Sequence, residues 1–170
     1  MEICYVLDAS AFINGFKIIS DNNVTVPEIT TEIKDFESKL YFDMVIEEGK
    51  LLIQDVPSQY IDHVDEIISK SGDSLRLSNP DKKLISLAYM LSQLGRNVKV
   101  ISDDYSIQNT LEIMGIDYSG IITDGIQGIF NWKKVCEGCK KEYDEDYPFE
   151  DCEICGSKIY KKRIKVVKWK

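Results

Sequence analysis

The chain has one histidine and four prolines in 170 residues, and no apolar run long enough to span a bilayer. With His63 as the single imidazole, mechanisms built on a histidine base are disfavoured, and nucleophile triads with them. His63 falls on a helix expected from Ser58 to Ile68, far from any acidic strand end, and reads as structural or surface-exposed. No basic-then-apolar leader with a small-residue cleavage site is evident, so the chain is expected to be cytoplasmic, with no membrane partner. Internal repeats and low-complexity segments are also lacking, apart from a basic tail.

What is present is unevenly charged. The formal net charge of −8 hides an acidic body, with 10 Lys+Arg against 21 Asp+Glu in residues 1–132, and a basic end, with 11 against 8 in residues 133–170. After Cys155 there are seven basic residues and no acidic one. That asymmetry suits a metal site joined to a polyanion-binding extension. Length allows one sizeable α/β domain and a small appendage.

The opening stretch ICYVLDASAFINGF organises the body. An apolar strand from Ile3 to Leu7 delivers Asp8, then Ser10, to the start of a helix. NVKVISDDYSIQN repeats this grammar, with a strand from Val98 to Ile101 running into Asp103 and Asp104 before a helix from Tyr105 to Met114. In RLSNPDKKLISLAYMLSQLG a helix starts at Pro80 with Asn79 as N-cap and Asp81 in its first turn, where the dipole favours a carboxylate. Between these, Ile29, Ile33, Phe36, Leu40 and Met44 recur at helical spacing until Gly49 and predict one helix after Pro27. Glu32 borders that stripe, while Glu28, Asp35 and Glu37 read as solvated charges. With strands at Val24–Val26, Leu51–Val56 and residues 116–123, the pattern predicts a mainly parallel sheet covered on both faces. Carboxylates at the carboxyl ends of such strands lie where open α/β sheets build their sites.

If Asp8, Glu32, Asp81 and one or both of Asp103 and Asp104 converge, their repulsion raises their pKa values unless a cation intervenes. Oxygen ligands select Mg²⁺ or Mn²⁺, which can activate a water and orient a phosphodiester for in-line attack.

The second module is carried by Cys136-Glu-Gly-Cys139, twelve intervening residues, and Cys152-Glu-Ile-Cys155. Four thiolates from two CxxC knuckles make a closed tetrahedral Zn²⁺ site, here a structural zinc ribbon. A redox reading is disfavoured because neither CxxC opens a helix after a strand. Cys4, inside the first strand, reads as a buried small hydrophobe. Tyr143, Tyr147, Phe149, Tyr160 and Trp169 interleave with Lys158, Lys161, Lys162, Arg163, Lys165 and Lys168, a mixture that can stack on bases and neutralise phosphates. The alternation in YKKRIKVVKW also fits a ribbon strand with one solvated face. The expected organisation is a nuclease-like body at 1–124, a linker at 125–132, and the ribbon with its basic tail at 133–170.

The order VLDAS, EITTEIKD, NPDKKLISLA, VISDDYSIQN and then CxxC…CxxC resembles the PIN-domain endoribonucleases, and among them the Nob-type enzymes that mature the 3′ end of small-subunit ribosomal RNA. The resemblance implies a PIN-like α/β fold and catalytic roles for Asp8, Glu32, Asp81, Asp103 and Asp104, with Asp8, Glu32, Asp81 and Asp104 as ligands of Mg²⁺ or Mn²⁺. The family's threonine–any–aspartate motif places Ser102 at the hydroxyl position and favours Asp104 over Asp103. Ser10 aligns with a small polar residue that orients water or phosphate. The implied substrate is precursor small-subunit rRNA, and the implied partners are the pre-ribosomal small subunit and its assembly factors. A non-catalytic RNA- or ribosome-binding factor on the same scaffold is the alternative. A receiver-type phosphorylation switch is disfavoured because the paired acids come late and no lysine follows the last one, and free toxin-type PIN ribonucleases are usually shorter and lack a ribbon.

Overall fold

Short apolar runs alternating with helices give an α/β winding, seen in a computed structural model that describes residues 2–18, 20–71, 77–122, 129–143 and 147–166. The strands β1 (Ile3–Leu7), β2 (Asn23–Thr25), β3 (Leu51–Ile53), β4 (Asn97–Ile101) and β5 (Asp117–Ser119) form one sheet in the order β3-β2-β1-β4-β5, every pair parallel. The helices are α1 (Ala9–Ile13), α2 (Ile29–Glu32), α3 (Phe36–Glu47), α4 (Ser58–Ser71), α5 (Asn79–Gln93) and α6 (Tyr105–Met114). They fall into two layers, with α1 packed on α2 and α3, and α5 packed on α4 and α6.

The winding reverses direction between β1 and β4, which lie side by side from Ile3↔Asn97 to Leu7↔Ile101. That reversal places the residues after Leu7 and after Ile101 in one crevice at the carboxyl edge. The core beneath it includes Val6, Leu7, Leu84, Leu87, Val100, Ile107 and Leu111, all buried. Gly95 (φ 78°) and Gly115 (φ 69°) follow α5 and α6 in left-handed conformations, as helix-ending glycines do.

Two local expectations are corrected. The stripe from Ile29 to Met44 is not one helix: α2 ends as Ile33 turns extended (ψ 102°), and Asp35 caps a new helix by accepting from the Ser38 N–H. The break changes the helical phase, so Ile29 and Ile33 stay buried while Phe36 (80% exposed), Leu40 (60%) and Met44 (44%) face outward. Ser38, Phe42 and Val45 are buried on α3 instead, with Phe42 edge-on to Phe12 at 5.0 Å. At α5 the cap is Ser78, not Asn79. Ser78 Oγ accepts from the Asp81 N–H, and the Asp81 carboxylate accepts from the Ser78 N–H, closing a capping box.

In the second module β6 (Ile129–Cys136) pairs antiparallel with β7 (Glu142–Tyr143) and β8 (Ile159–Val166). Residues 129–132 of the expected linker are therefore strand, paired with residues 163–166 of β8, whereas 124–128, Lys168 and Trp169 lie outside the described residues. Among the described residues no helix is long and apolar enough to cross a membrane.

The phase change on α3 is open to test by urea denaturation. Phe42→Ala is expected to cost about 3–5 kcal/mol, whereas Phe36→Ala should stay within about 0.5 kcal/mol.

Candidate active site and metal centres

Each acid of the body site arrives through its own element. Asp8 is the N-cap of α1 and keeps the sheet register one step past β1 through its N–H to the Ile101 carbonyl, 3.1 Å. Glu32 ends α2, and Asp81 sits in the first turn of α5. One carboxylate oxygen from each of Asp8, Glu32 and Asp81 lies within 4.8 Å of the others. Asp8 is 5% exposed; Glu32 and Asp81 are half-buried.

Two hydroxyls hold Asp8. Ser10 Oγ donates to Asp8 Oδ2 at 2.7 Å and Ser102 Oγ donates to the same oxygen at 2.9 Å. Each serine in turn accepts a backbone N–H, Ser10 from Asp103 across the strand ends (3.1 Å) and Ser102 from Asp104 two residues further on (3.1 Å). The chain ends of β1 and β4 are thus laced together around one carboxylate. Buried Gln108 supports the lacing by donating Nε2 to the Ser102 carbonyl at 2.7 Å.

The paired acids of β4 part company. Asp104 is the N-cap of α6, accepting through Oδ1 from Ser106 N (2.6 Å) and Ile107 N (3.3 Å), and its charge reaches both Glu32 and Asp81. Asp103 is not brought to the cluster. Its carboxylate accepts from Asn14 Nδ2 at 2.7 Å and from the N–H groups of Ile121 and Ile122 at 2.8 and 3.1 Å, tying α1 to the turn after β5.

Glu28 and Asp35, read from the sequence as solvated charges, both have structural work. Asp35 caps α3, and Glu28 pairs with Lys83, joining the start of α2 to the first turns of α5 and so the two elements that carry Glu32 and Asp81. The signal was available in principle: Glu28 and Glu32 lie four residues apart, one helical turn. His63 is exposed on α4 and stacks on Tyr89 at 4.8 Å.

Crowding shows in the proton affinities. Glu32 is raised above the usual carboxylate value by burial, then by the charges of Asp81, Asp8 and Asp104. Asp81 is raised by burial and by Asp104 and Asp8, against the hydrogen bonds to Ser78 that lower it. Lys34 opposes the rise at Glu32 only as the last of its causes, and Lys83 on α5 is committed to Glu28. A donor set of several carboxylates that still repel one another fits a hard divalent ion.

In the ribbon the Sγ atoms of Cys136, Cys139, Cys152 and Cys155 all lie within 4.8 Å of one another, with Cys136 to Cys155 at 3.4 Å and Cys139 to Cys152 at 3.5 Å. A Zn–S bond of about 2.3 Å in a tetrahedron puts sulfurs about 3.8 Å apart, so the four fit zinc. Hydrogen bonds from the Ser157 side chain and backbone hold the Cys155 thiol down at about 5. Tyr143 places its hydroxyl 2.9 Å from Cys152 Sγ. It is buried there, which removes it from the aromatic residues expected to meet bases, while Phe149 and Tyr160 remain exposed. Lys161 and Lys162 are exposed, Lys158 pairs with Asp151 at 2.8 Å, and Arg163 and Lys165 belong to β8. Cys4 is fully buried and outside both clusters.

Residues 5–91 match the family described as "PIN domain of ribonuclease". The chain is 46% identical over 159 residues to Endoribonuclease Nob1 of Methanothermobacter thermautotrophicus, covering 93% of this chain and 92% of that protein. It is 38% identical over 162 residues to Endoribonuclease Nob1 of Methanocaldococcus jannaschii, covering 94% and 78%. With Ribonuclease VapC1 of Thermoplasma acidophilum it shares 28% identity over 172 residues, covering 99% and 84%.

Two outcomes follow from these geometries. Glu32 and Asp81 hold protons more tightly in the folded than in the unfolded chain, so without a bound cation their contribution to stability is full below the ordinary carboxylate range and is lost as the pH rises through the raised values. Glu32→Gln should therefore melt above wild type at neutral pH in buffer free of Mg²⁺ and Mn²⁺, with the gap narrowing as the pH is lowered, in calorimetric scans. In the first knuckle, a Cβ on Gly138 would fall against Ser157 Oγ and 3.2 Å from Cys155 Sγ. Gly138→Ala should weaken zinc retention by about tenfold or more in a competition with a chromophoric chelator.

Proposed function

This chain belongs to the PIN-domain endoribonuclease family of the Nob1 type, and from that premise we propose that it hydrolyses a phosphodiester of precursor small-subunit rRNA in a divalent-metal-dependent reaction that generates the mature 3′ end. The observation that carries the reading is the meeting of Asp8, Glu32 and Asp81 at the reversal of the sheet, with the charge of Asp104 beside them.

Asp8, Glu32, Asp81 and Asp104 are the proposed ligands of Mg²⁺ or Mn²⁺. Bound there, such an ion supplies Lewis-acid stabilisation and an activated water. Ser10 and Ser102 keep the Asp8 carboxylate from rotating, and the Glu28–Lys83 pair keeps α2 against α5 so that Glu32 and Asp81 hold their spacing. Asp103 acts at one remove by fixing the turn after β5, so its role is positioning. Neither His63 nor Cys4 reaches the cluster, and the reading calls for no side-chain nucleophile.

The ribbon is the proposed grip on RNA. Lys133 lies opposite Lys162 and Lys134 opposite Lys161 across β6 and β8. Like charges paired across strands are destabilising, and a phosphate backbone relieves them. Glu142 pairs with Lys133 at 2.7 Å and also feels the charge of Lys162. Lys158, Lys161, Lys162, Arg163, Lys165 and Lys168 form the proposed contact set, with the zinc-held strands as its frame. In the cell the substrate is presented in the pre-ribosomal small subunit with its assembly factors.

The test is cleavage of a short RNA spanning the 3′ end of the small-subunit rRNA by protein dialysed free of Mg²⁺ and Mn²⁺, with and without added Mn²⁺. A single cut that appears with Mn²⁺ and falls by about 10²-fold or more in Asp104→Asn is expected. Asparagine is as good an N-cap as aspartate, so α6 is kept and only the charge is lost. Binding of this RNA without cleavage, with or without Mn²⁺, would instead favour a non-catalytic assembly factor.

A further inference from the structure

A cleft of about 400 Å³ opens across β2, β1, β4 and β5, on the face of the sheet that carries Tyr5. Its floor is a row of side chains in register across three strands, Asn23, Tyr5 and Lys99. Phe16 forms a wall, its ring 6.1 Å from that of Tyr5 and tilted by 52°. Lys17 lies at the rim, and neither Lys17 nor Lys99 enters an ion pair among the described residues.

Two residues that line this cleft each carry a buried polar atom with no hydrogen-bond partner among the described residues. Asn23 is 2% exposed, and its Nδ2 donates to the carbonyls of Ser20 (2.5 Å) and Lys50 (2.9 Å), which settles the orientation of the amide. Its Oδ1 is therefore an acceptor, and it is buried with no hydrogen bond among the described residues; Oγ of Ser20, also a lining residue, is in the same state. A buried unpaired acceptor costs free energy that a ligand N–H recovers.

We propose that this cleft binds a nucleotide, with the base against Tyr5 and Phe16, an N–H of the base on Asn23 Oδ1, and the phosphate between Lys17 and Lys99. A purely apolar ligand would leave the acceptor and both lysines unanswered, and a neutral sugar would leave the lysines. Tyr5 precedes Asp8 by three residues on β1, about 10 Å at about 3.3 Å per residue. The nucleotide can therefore come from the RNA strand that enters the nuclease site, an assignment that rests on the proposed function, or from a free nucleotide, which does not.

The experiment titrates 5′-AMP into the full chain without Mg²⁺ or Mn²⁺, by calorimetry and by the NMR shift of the Ile101 methyl groups, for wild type, Lys17→Ala, Lys99→Met and Ser20→Ala. Lys99→Met keeps the apolar stem, and Lys17 and Ser20 lie outside the core, so the fold is retained. Saturable AMP binding with a shift at Ile101, weakened by about tenfold in the lysine variants, is expected. A rise of KM for RNA in the same variants, at unchanged kcat, assigns the site to the RNA strand, with or without measurable AMP binding. Weakened AMP binding with unchanged KM assigns it to a free nucleotide. No AMP shift together with an unchanged KM overturns the proposal. AMP binding in a wild type that cuts no RNA would sink the nuclease reading and leave this site standing.

Discussion

The structure of the body turns on holding several carboxylates together against their own repulsion. Asp8 is buried at the sheet reversal, and two serine hydroxyls meet on a single oxygen of it. Those serines receive backbone N–H groups from residues 103 and 104, so the same hydrogen bonds that orient the acid also close the carboxyl ends of β1 and β4. Removing that lacing would release the two chain ends as well as the carboxylate. The raised proton affinities of Glu32 and Asp81 measure what remains uncompensated in the protein alone, and a divalent cation is the species that would compensate it.

The ribbon follows a different logic. A three-stranded sheet of this size buries too little apolar surface to hold itself, so four sulfurs converging within 4.8 Å stand where a hydrophobic core would be. Tyr143 is drawn into that small interior by Cys152, and the close approach of the knuckles leaves room only for glycine at position 138. The ribbon lysines lie along the strands, where Lys133 and Lys158 pair with Glu142 and Asp151.

Much of the site could be read without coordinates, and the failures have physical causes. Asp8, Asp81 and Asp104 follow from rules that act within a few residues: an apolar strand ending in an acid, a proline-marked helix start, an acid before a helix. The α3 stripe failed because Ile33 and Asp35 interrupt the helix, and a break of three residues rotates every later side chain relative to the core. Asp103 and Asp104 are chemically alike and adjacent, so local sequence could not separate them. Only the positions of Asn14 and of the turn at Ile121 and Ile122, brought in from distant parts of the chain, draw Asp103 aside.

By itself the sequence determined the α/β class, the strand ends on which acids are presented, and the four-cysteine frame, since each depends on spacing along the chain and on chemistry local to it. Tertiary structure alone decided which carboxylates meet and which one is spent on holding a turn. Those outcomes depend on the strand order and on the sides taken by the crossovers, and such long-range relations leave no mark in the residues next to the ones they arrange.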